Sequence, residues 1–518
     1  PPVTLSQEVQ LERTMLNIRS KSTDLEKFLY LQGLQERNER LFYRVMLENF
    51  EELVPTVSSP VVRESCKKYG LMFKSVPRAL YVTLEDRGRV FRILKNWPER
   101  NIQLVVVTDG ERTGAGDLGV QAVGVPINKL SLYTACGGIN PAVCLPVVID
   151  TGTDNEELLA SPFYVGMRHR RVGGDAYYEL LDEFLTAVRR RYGNTTLLQF
   201  QDFSFDNASK LLNMYRTEFP CFADDLSGQA ACTLAAVLAA LPATGLKLED
   251  HTYIMSGEGG TVSCIAELFA TAIAARSNQT VLDARRCIWL VDRNGLVTRE
   301  RGDSATLDAH KLPFCHSHDG PPATDLSAAI LALKPTVLIG FDRSDQGPPF
   351  KFDKNVCAAM AANCSRPVIL PLSSEHPEAT AQDVYTWTDG RCLVATGDAR
   401  SDPITLTDGQ QHQPSQAISH YIFPGVGLGT LTSKCTKLRD EQFIAAAVEV
   451  AKMVTPDELA RGMLLPSLAS MREVAINVAA KVAQKAYEGN YATALPKPHN
   501  LYDNARHAMY APQYRRYR

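Results

Sequence analysis

Several side chains in this sequence are of types that can move protons, hold anions or gather cations. Lys129 stands in Val125-Pro126-Ile127-Asn128-Lys129-Leu130, where apolar neighbours could strip its ammonium of water and make it a base. A lysine snorkelling from a helix is the plainer alternative. Arg112 closes the run Thr108-Asp109-Gly110-Glu111-Arg112. Asp202, in Gln199-Phe200-Gln201-Asp202-Phe203, and the pair Asp224-Asp225 follow apolar runs. Carboxylates at strand ends can gather round a divalent cation, although spacing alone fits solvated loop residues as well. Gly257-Glu258-Gly259-Gly260-Thr261-Val262 sits between a strand pattern and a helix pattern, the context of a dinucleotide-binding turn. Gly257 and Gly259 would allow the tight bend and close approach to a pyrophosphate. Val262 occupies the third, normally small position, and its methyls are expected to push helix and strand apart. Asp292 ends the next strand, where a carboxylate can accept from a ribose or simply shape a turn.

Elements of two kinds must position these groups. Residues 1–76 read as helical, with Glu36 to Leu47 an amphipathic helix by spacing. Leu80–Leu84, Leu104–Thr108, Cys144–Asp150 and Thr196–Phe200 are apolar without alternation, the mark of buried parallel strands. His251–Ser256, Cys287–Asp292, Thr336–Gly340 and Pro367–Pro371 continue the pattern after an alanine-rich helix, which predicts a doubly wound sheet. The longest apolar stretch, Ala230 to Ala243, is too short to cross a bilayer. With 518 residues the chain should divide into several domains. Its net charge of −3 argues against binding polyanions. Twelve cysteines lack C-x-x-C pairs and zinc-ligand histidines, so they read as reduced thiols of a cytosolic or matrix protein. The basic, aromatic tail Tyr510 to Arg518 could stack on RNA or serve as an assembly arm.

Taken together, these segments resemble the malic enzyme family, whose members convert malate to pyruvate with NAD(P) and Mg²⁺ or Mn²⁺. The matching stretches are Arg37-Asn38-Glu39 through Arg44, Thr108 to Arg112 with Gly116-Asp117-Leu118-Gly119, Leu132 to Pro141, Cys144 to Val147, Asp150 to Asn155, Pro162 to Gly166, and Tyr421 to Val426. The resemblance implies an α/β protein of four parts. These are a helical N-terminal domain over 1–76, a parallel-sheet central domain over 77–223 and 419–489, a Rossmann-like nucleotide-binding domain over 224–418, and a C-terminal arm over 490–518. It further implies Lys129 as base with Asp224 behind it, Arg112 on the substrate carboxylate, and Asp202 and Asp225 as metal ligands. Gly257, Gly259 and Asp292 would hold the cofactor, with Ser374 and Ser419 at positions that touch substrate. A homo-oligomer, or a hetero-oligomer with a paralogue or larger complex, is implied as well, without membrane insertion, and with nucleic acid left only to the Arg/Tyr-rich tail.

Departures from the family pattern fall on the chemistry. Ser58 replaces the tyrosine acid, and Gln201 replaces the glutamate ligand. Ile418-Ser419 stands for a pair of asparagines, Ser373-Ser374-Glu375 for Ser-Asn-Pro, and Phe341-Asp342-Arg343-Ser344 for a second glycine-rich loop. A phenol titrates at about 10 and an aliphatic alcohol far higher, so Ser58 is a poor acid. Losing a positioned acid costs on the order of 10²–10⁴ in rate. Gln201 lowers the metal site from three formal charges to two. The expectation is therefore a catalytically silent malic-enzyme homologue, structural or regulatory, with no tightly bound cofactor and placed in mitochondria or otherwise the cytoplasm. The alternative is an active NAD(P)-dependent enzyme using Mg²⁺ or Mn²⁺ on malate or a related hydroxy acid.

Overall fold

The computed structural model describes residues 5–72, 78–342, 347–374, 376–398, 402–407 and 409–514. The chain forms two compact units. The first comprises residues 1–223, 423–439 and 467–518, so the helical N-terminal segment packs with the first sheet rather than standing apart. The second comprises 224–422 and 440–466. The helix Asp440–Lys452, expected beside the first sheet, instead packs on the helix Gln229–Thr244 of the second unit.

In the first unit, strands β1 (Leu80–Thr83), β2 (Leu104–Thr108), β3 (Cys144–Asp150), β4 (Leu197–Phe200) and β5 (Cys221–Ala223) make a parallel sheet of order β1-β3-β2-β4-β5. β2 and β3 are buried at every residue, which is why they carry no polar alternation. The continuous helix expected over 36–47 breaks at Asn38, whose side chain accepts from the Leu41 N–H and caps the helix Glu39–Glu48. The tail to Tyr514 lies on its own chain. Gln7 Nε2 donates to the Pro512 carbonyl at 2.9 Å, and the Tyr514 N–H donates to Gln7 Oε1 at 3.0 Å. Arg515 to Arg518 lie outside the described residues.

In the second unit, β6 (Tyr253–Ser256), β7 (Ile288–Asp292), β8 (Gly295–Leu296), β9 (Val337–Gly340), β10 (Val368–Pro371), β11 (Leu393–Thr396), β12 (Ile404–Thr405), β13 (Gln411–His412) and β14 (Ser415–Gln416) follow in the chain. The main sheet runs β14-β11-β10-β9-β6-β7-β8, parallel except for β8, and β12-β13 form a separate hairpin. One face of the sheet packs Ile254, Leu338, Ile369 and Val394 against Ile330, Val356 and Met360. The apolar helical run is longer than the sequence suggested: with a preceding π turn it extends over Asp224–Thr244, long and apolar enough to span a bilayer. Its most apolar stretch is 72% buried inside the protein, the environment of a core helix. All twelve cysteines are free thiols, and burial pushes Cys66 up to about 12.

Candidate active site

In the first unit, the loop after β2 is built to present Arg112. The Leu118 N–H donates to the Gly110 carbonyl at 3.0 Å. Gly110 lies at φ 70°, where a Cβ would collide with the Gly119 carbonyl. Arg171 clamps the loop from below through a bidentate pair to Asp117 (2.9 and 2.7 Å) and a bond to the Asp109 carbonyl. Tyr177 donates its hydroxyl to Asp109 Oδ2 at 2.6 Å, and burial pushes the Asp109 carboxyl up to about 6. Arg112 itself is exposed and anchored by its N–H, which donates to the Asp202 carbonyl at 2.9 Å. Arg171, Asp117, Asp109 and Tyr177 are supports that residue type and spacing did not single out.

Lys129 sits on the helix Gly124–Gly137, half-buried, with its ammonium 4.4 Å from the centre of the Phe423 ring. A cation over an aromatic face is attracted by the ring's negative face. The neighbouring Asn128 donates to the Val57 carbonyl at 2.9 Å, which tethers the turn carrying Ser58 to this helix. Ser58 is 4% exposed, and its hydroxyl has no hydrogen-bond partner among the described residues. Residue 58, expected to stand where the acid would be, thus carries a buried hydroxyl next to the carbonyl that bonds this helix.

Asp202 follows β4 in the left-handed region at φ 58°, an uncommon conformation for a residue with a Cβ and one that marks functional sites. Its carboxylate closes a buried chain. Tyr133 donates to Gln199 Oε1, Gln199 Nε2 donates to Gln201 Oε1 at 2.9 Å, and Gln201 Nε2 donates to Asp202 Oδ1 at 3.0 Å. The oxygen that Gln201 could offer to a hard cation is therefore already accepting, and its amide is committed to Asp202. Among the described residues no group of three or more His, Cys, Asp or Glu is arranged to hold a metal. Gln201 thus brings a neutral, already bonded oxygen to the position where the resemblance implies a charged ligand.

In the second unit, Asp224 and Asp225 lie in a π turn, Asp224–Gly228, that opens the core helix. Such turns are often found at functional sites. Asp224 is 3% exposed, and Ser419 donates its hydroxyl to Asp224 Oδ2 at 2.6 Å. A Cβ on Gly228 would collide with Asp224 Oδ1, so the missing side chain makes the seat. Ser419 therefore orients Asp224, and Asp225 stands partly buried next to it. Ser374 is half-buried beyond β10, while Glu375, Arg343 and Ser344 lie outside the described residues.

The glycine turn follows β6 and opens the helix Gly260–Ser277. A Cβ on Gly257 would collide with the Phe341 carbonyl and a Val262 methyl, whereas nothing lies within 4 Å of one on Gly259. Val262 is 3% exposed and fills the space above Gly257. The clash expected from its methyls is absorbed by the glycine. Asp292, at the end of β7, has both oxygens engaged: Arg301 binds it with two nitrogens (2.6 and 3.0 Å), and Lys311 Nζ sits at 2.9 Å. Burial works to raise this carboxyl, but the two cations outweigh it and hold it below the ordinary range.

Comparison with known proteins agrees with the fold. Residues 35–216 match the family model "Malic enzyme, N-terminal domain", and residues 226–487 match "Malic enzyme, NAD binding domain". The chain belongs to the malic enzyme family. It is 44% identical over 521 residues to NADP-dependent malic enzyme 2 of Arabidopsis thaliana, covering 100% of this chain and 87% of that protein. The same identity holds for a chloroplastic NADP-dependent malic enzyme of Oryza sativa subsp. japonica, with 80% of that protein covered. A crystal structure of Entamoeba histolytica malic enzyme superposes with TM-score 0.61 at 21% identity, over 89% of this chain and 91% of that one. The expectation of no tightly bound cofactor is overturned: the NAD-binding-domain match and the NADP-dependent relatives point to a NAD(P) cofactor. Gly257, having no side chain, leaves room for Val262, so the valine does not by itself close the turn. The same relatives favour an active malic enzyme over a silent one, and their names lend no support to a mitochondrial location.

Proposed function

We propose that this chain is an NADP-dependent oxidoreductase of the malic enzyme type, oxidising malate or a related hydroxy acid, with decarboxylation as its weak step. The observation that carries this reading is the pairing of Arg301 and Lys311 on Asp292. An unpaired carboxylate there would accept from the ribose 2′-hydroxyl of NAD and repel a 2′-phosphate. Two cations that occupy it favour NADP. Lys129 takes the hydroxyl proton of the substrate, and Arg112 binds a carboxylate. The bound dinucleotide supplies the hydride acceptor. Ser58 is a poor replacement for a phenol as acid, and Gln201 brings no charge to a cation, so carbon dioxide release falls behind oxidation.

Purified protein given malate with NADP or NAD, followed spectrophotometrically for reduced cofactor and by labelled carbon dioxide, tests this directly. Slow reduction preferring NADP, with carbon dioxide lagging, is the expected result. Absence of reduced cofactor above background would overturn it. A second reading, a silent subunit of a homo- or hetero-oligomer, is favoured by the chain from Tyr133 to Asp202, which ties one oxygen of the carboxylate a metal would use to a neutral amide. Folded protein that binds NADP and does not turn over would select it.

A further inference from the structure

The mouth of the glycine turn already holds an anion belonging to the chain. The N–H of Glu258, the second residue of the turn, donates to Asp342 Oδ2 at 3.0 Å, although the two are far apart in sequence. Asp342 is seated firmly. Its own N–H donates to Ser373 Oγ at 2.8 Å, and Ser373 donates in turn to Glu378 Oε1 at 2.5 Å, while the Ser373 N–H reaches Glu378 Oε2 at 3.2 Å. Asp342 is 8% exposed, and Ser373 and Glu378 are 2% exposed. Gly340 makes room, since a Cβ there would lie 2.6 Å from the Glu378 carboxyl carbon. The Glu258 side chain turns away, accepting from the Arg293 N–H at 2.5 Å. Backbone N–H groups of such a turn, just ahead of a helix N-terminus, are the donors a dinucleotide's phosphates use. Here one of them is occupied by a buried carboxylate.

We infer that Asp342 is an internal competitor for the pyrophosphate of the dinucleotide, holding the Glu258 N–H and lowering the chain's affinity for its cofactor. The inference rests on the dinucleotide reading above and adds a residue that sets its strength. When the cofactor arrives, the Asp342 carboxylate must give up this bond and still sits as a negative charge beside the phosphates. Removing the charge therefore strengthens binding, and removing the side chain strengthens it further.

The test is the dissociation constant of NADP, measured by titration calorimetry on the full chain and on D342N and D342A, with inorganic pyrophosphate as a second probe. D342A should bind both roughly tenfold tighter than the unaltered chain, and D342N should fall between. Thermal melts check that each variant folds, and D342N, nearly isosteric, covers a failure of D342A. If the unaltered chain binds NADP and the folded variants bind it no tighter, the inference is overturned and the dinucleotide reading stands. If no form binds NADP or pyrophosphate, both are overturned.

Discussion

In the proposed reading Ser58 and Gln201 decide how much chemistry remains, because each stands where the family resemblance implies a working group. Ser58→Tyr should raise carbon dioxide release from malate by roughly tenfold to a hundredfold, while reduction of NADP changes less. A melt alongside would show whether the ring fits a site that is 4% exposed. Replacing Lys311 with alanine should weaken NADP at least about tenfold and leave NAD nearly unchanged, as read by titration. Glu378 makes a pH prediction. Burial pushes its carboxyl up from 4.5 to about 7. A raised folded value means the stability belongs to the protonated form: it is fully present below about 4.5 and is lost as pH rises through about 7. Glu378→Gln should therefore flatten the fall in melting temperature between those pH values, a difference of about 3 kcal/mol at most. The exchange of Gln for Glu at 201 was legible in the sequence, but its consequence was less so. Gln199 and Gln201 lie two apart and share a face, yet that they bond to each other and to Asp202 depends on side-chain rotamers. The Asp342 contact was not legible, because nothing in a loop sequence says which distant amide it will reach.

Among the elements, the glycine turn offers the sharpest contrast. Gly257→Ala puts a methyl into backbone, the Phe341 carbonyl, and should destabilise by about 1–3 kcal/mol in denaturant titration. Gly259→Ala meets open space and should cost less than about 1 kcal/mol. Buried parallel strands such as β2, β3, β6 and β9 could be read from the sequence because each is an unbroken apolar run. β11 was missed: Leu393-Val394-Ala395-Thr396 is a short run hemmed by Arg391 and Gly397. β5 has three residues, too few for any pattern. The break at Asn38 carried a cap signal, Asn before Glu39, that the strong amphipathic run around it obscured.

At the level of the whole chain, the two units give a thermal signature. NADP bound at about a hundred times its dissociation constant adds about 2.7 kcal/mol to the unit that holds it. Calorimetry should show one transition moving upward with NADP, and limited proteolysis should assign that transition to the unit of residues 224–422 and 440–466. Equal movement of every transition, or of none, would count against a site built on the glycine turn. The bonds from Gln7 to Pro512 and Tyr514 bring the first and last helical regions of the first unit within reach of one short linker. A circular permutant that joins them and opens the chain at the exposed turn after Tyr192 should fold as the parent does. The same closure gives an engineer a split point: the two halves of such a permutant, expressed separately, would have to find each other through the sheet, through the helix Gly124–Gly137 against Phe423–Ser433 and Met471–Glu488, and through the bonds of Gln7.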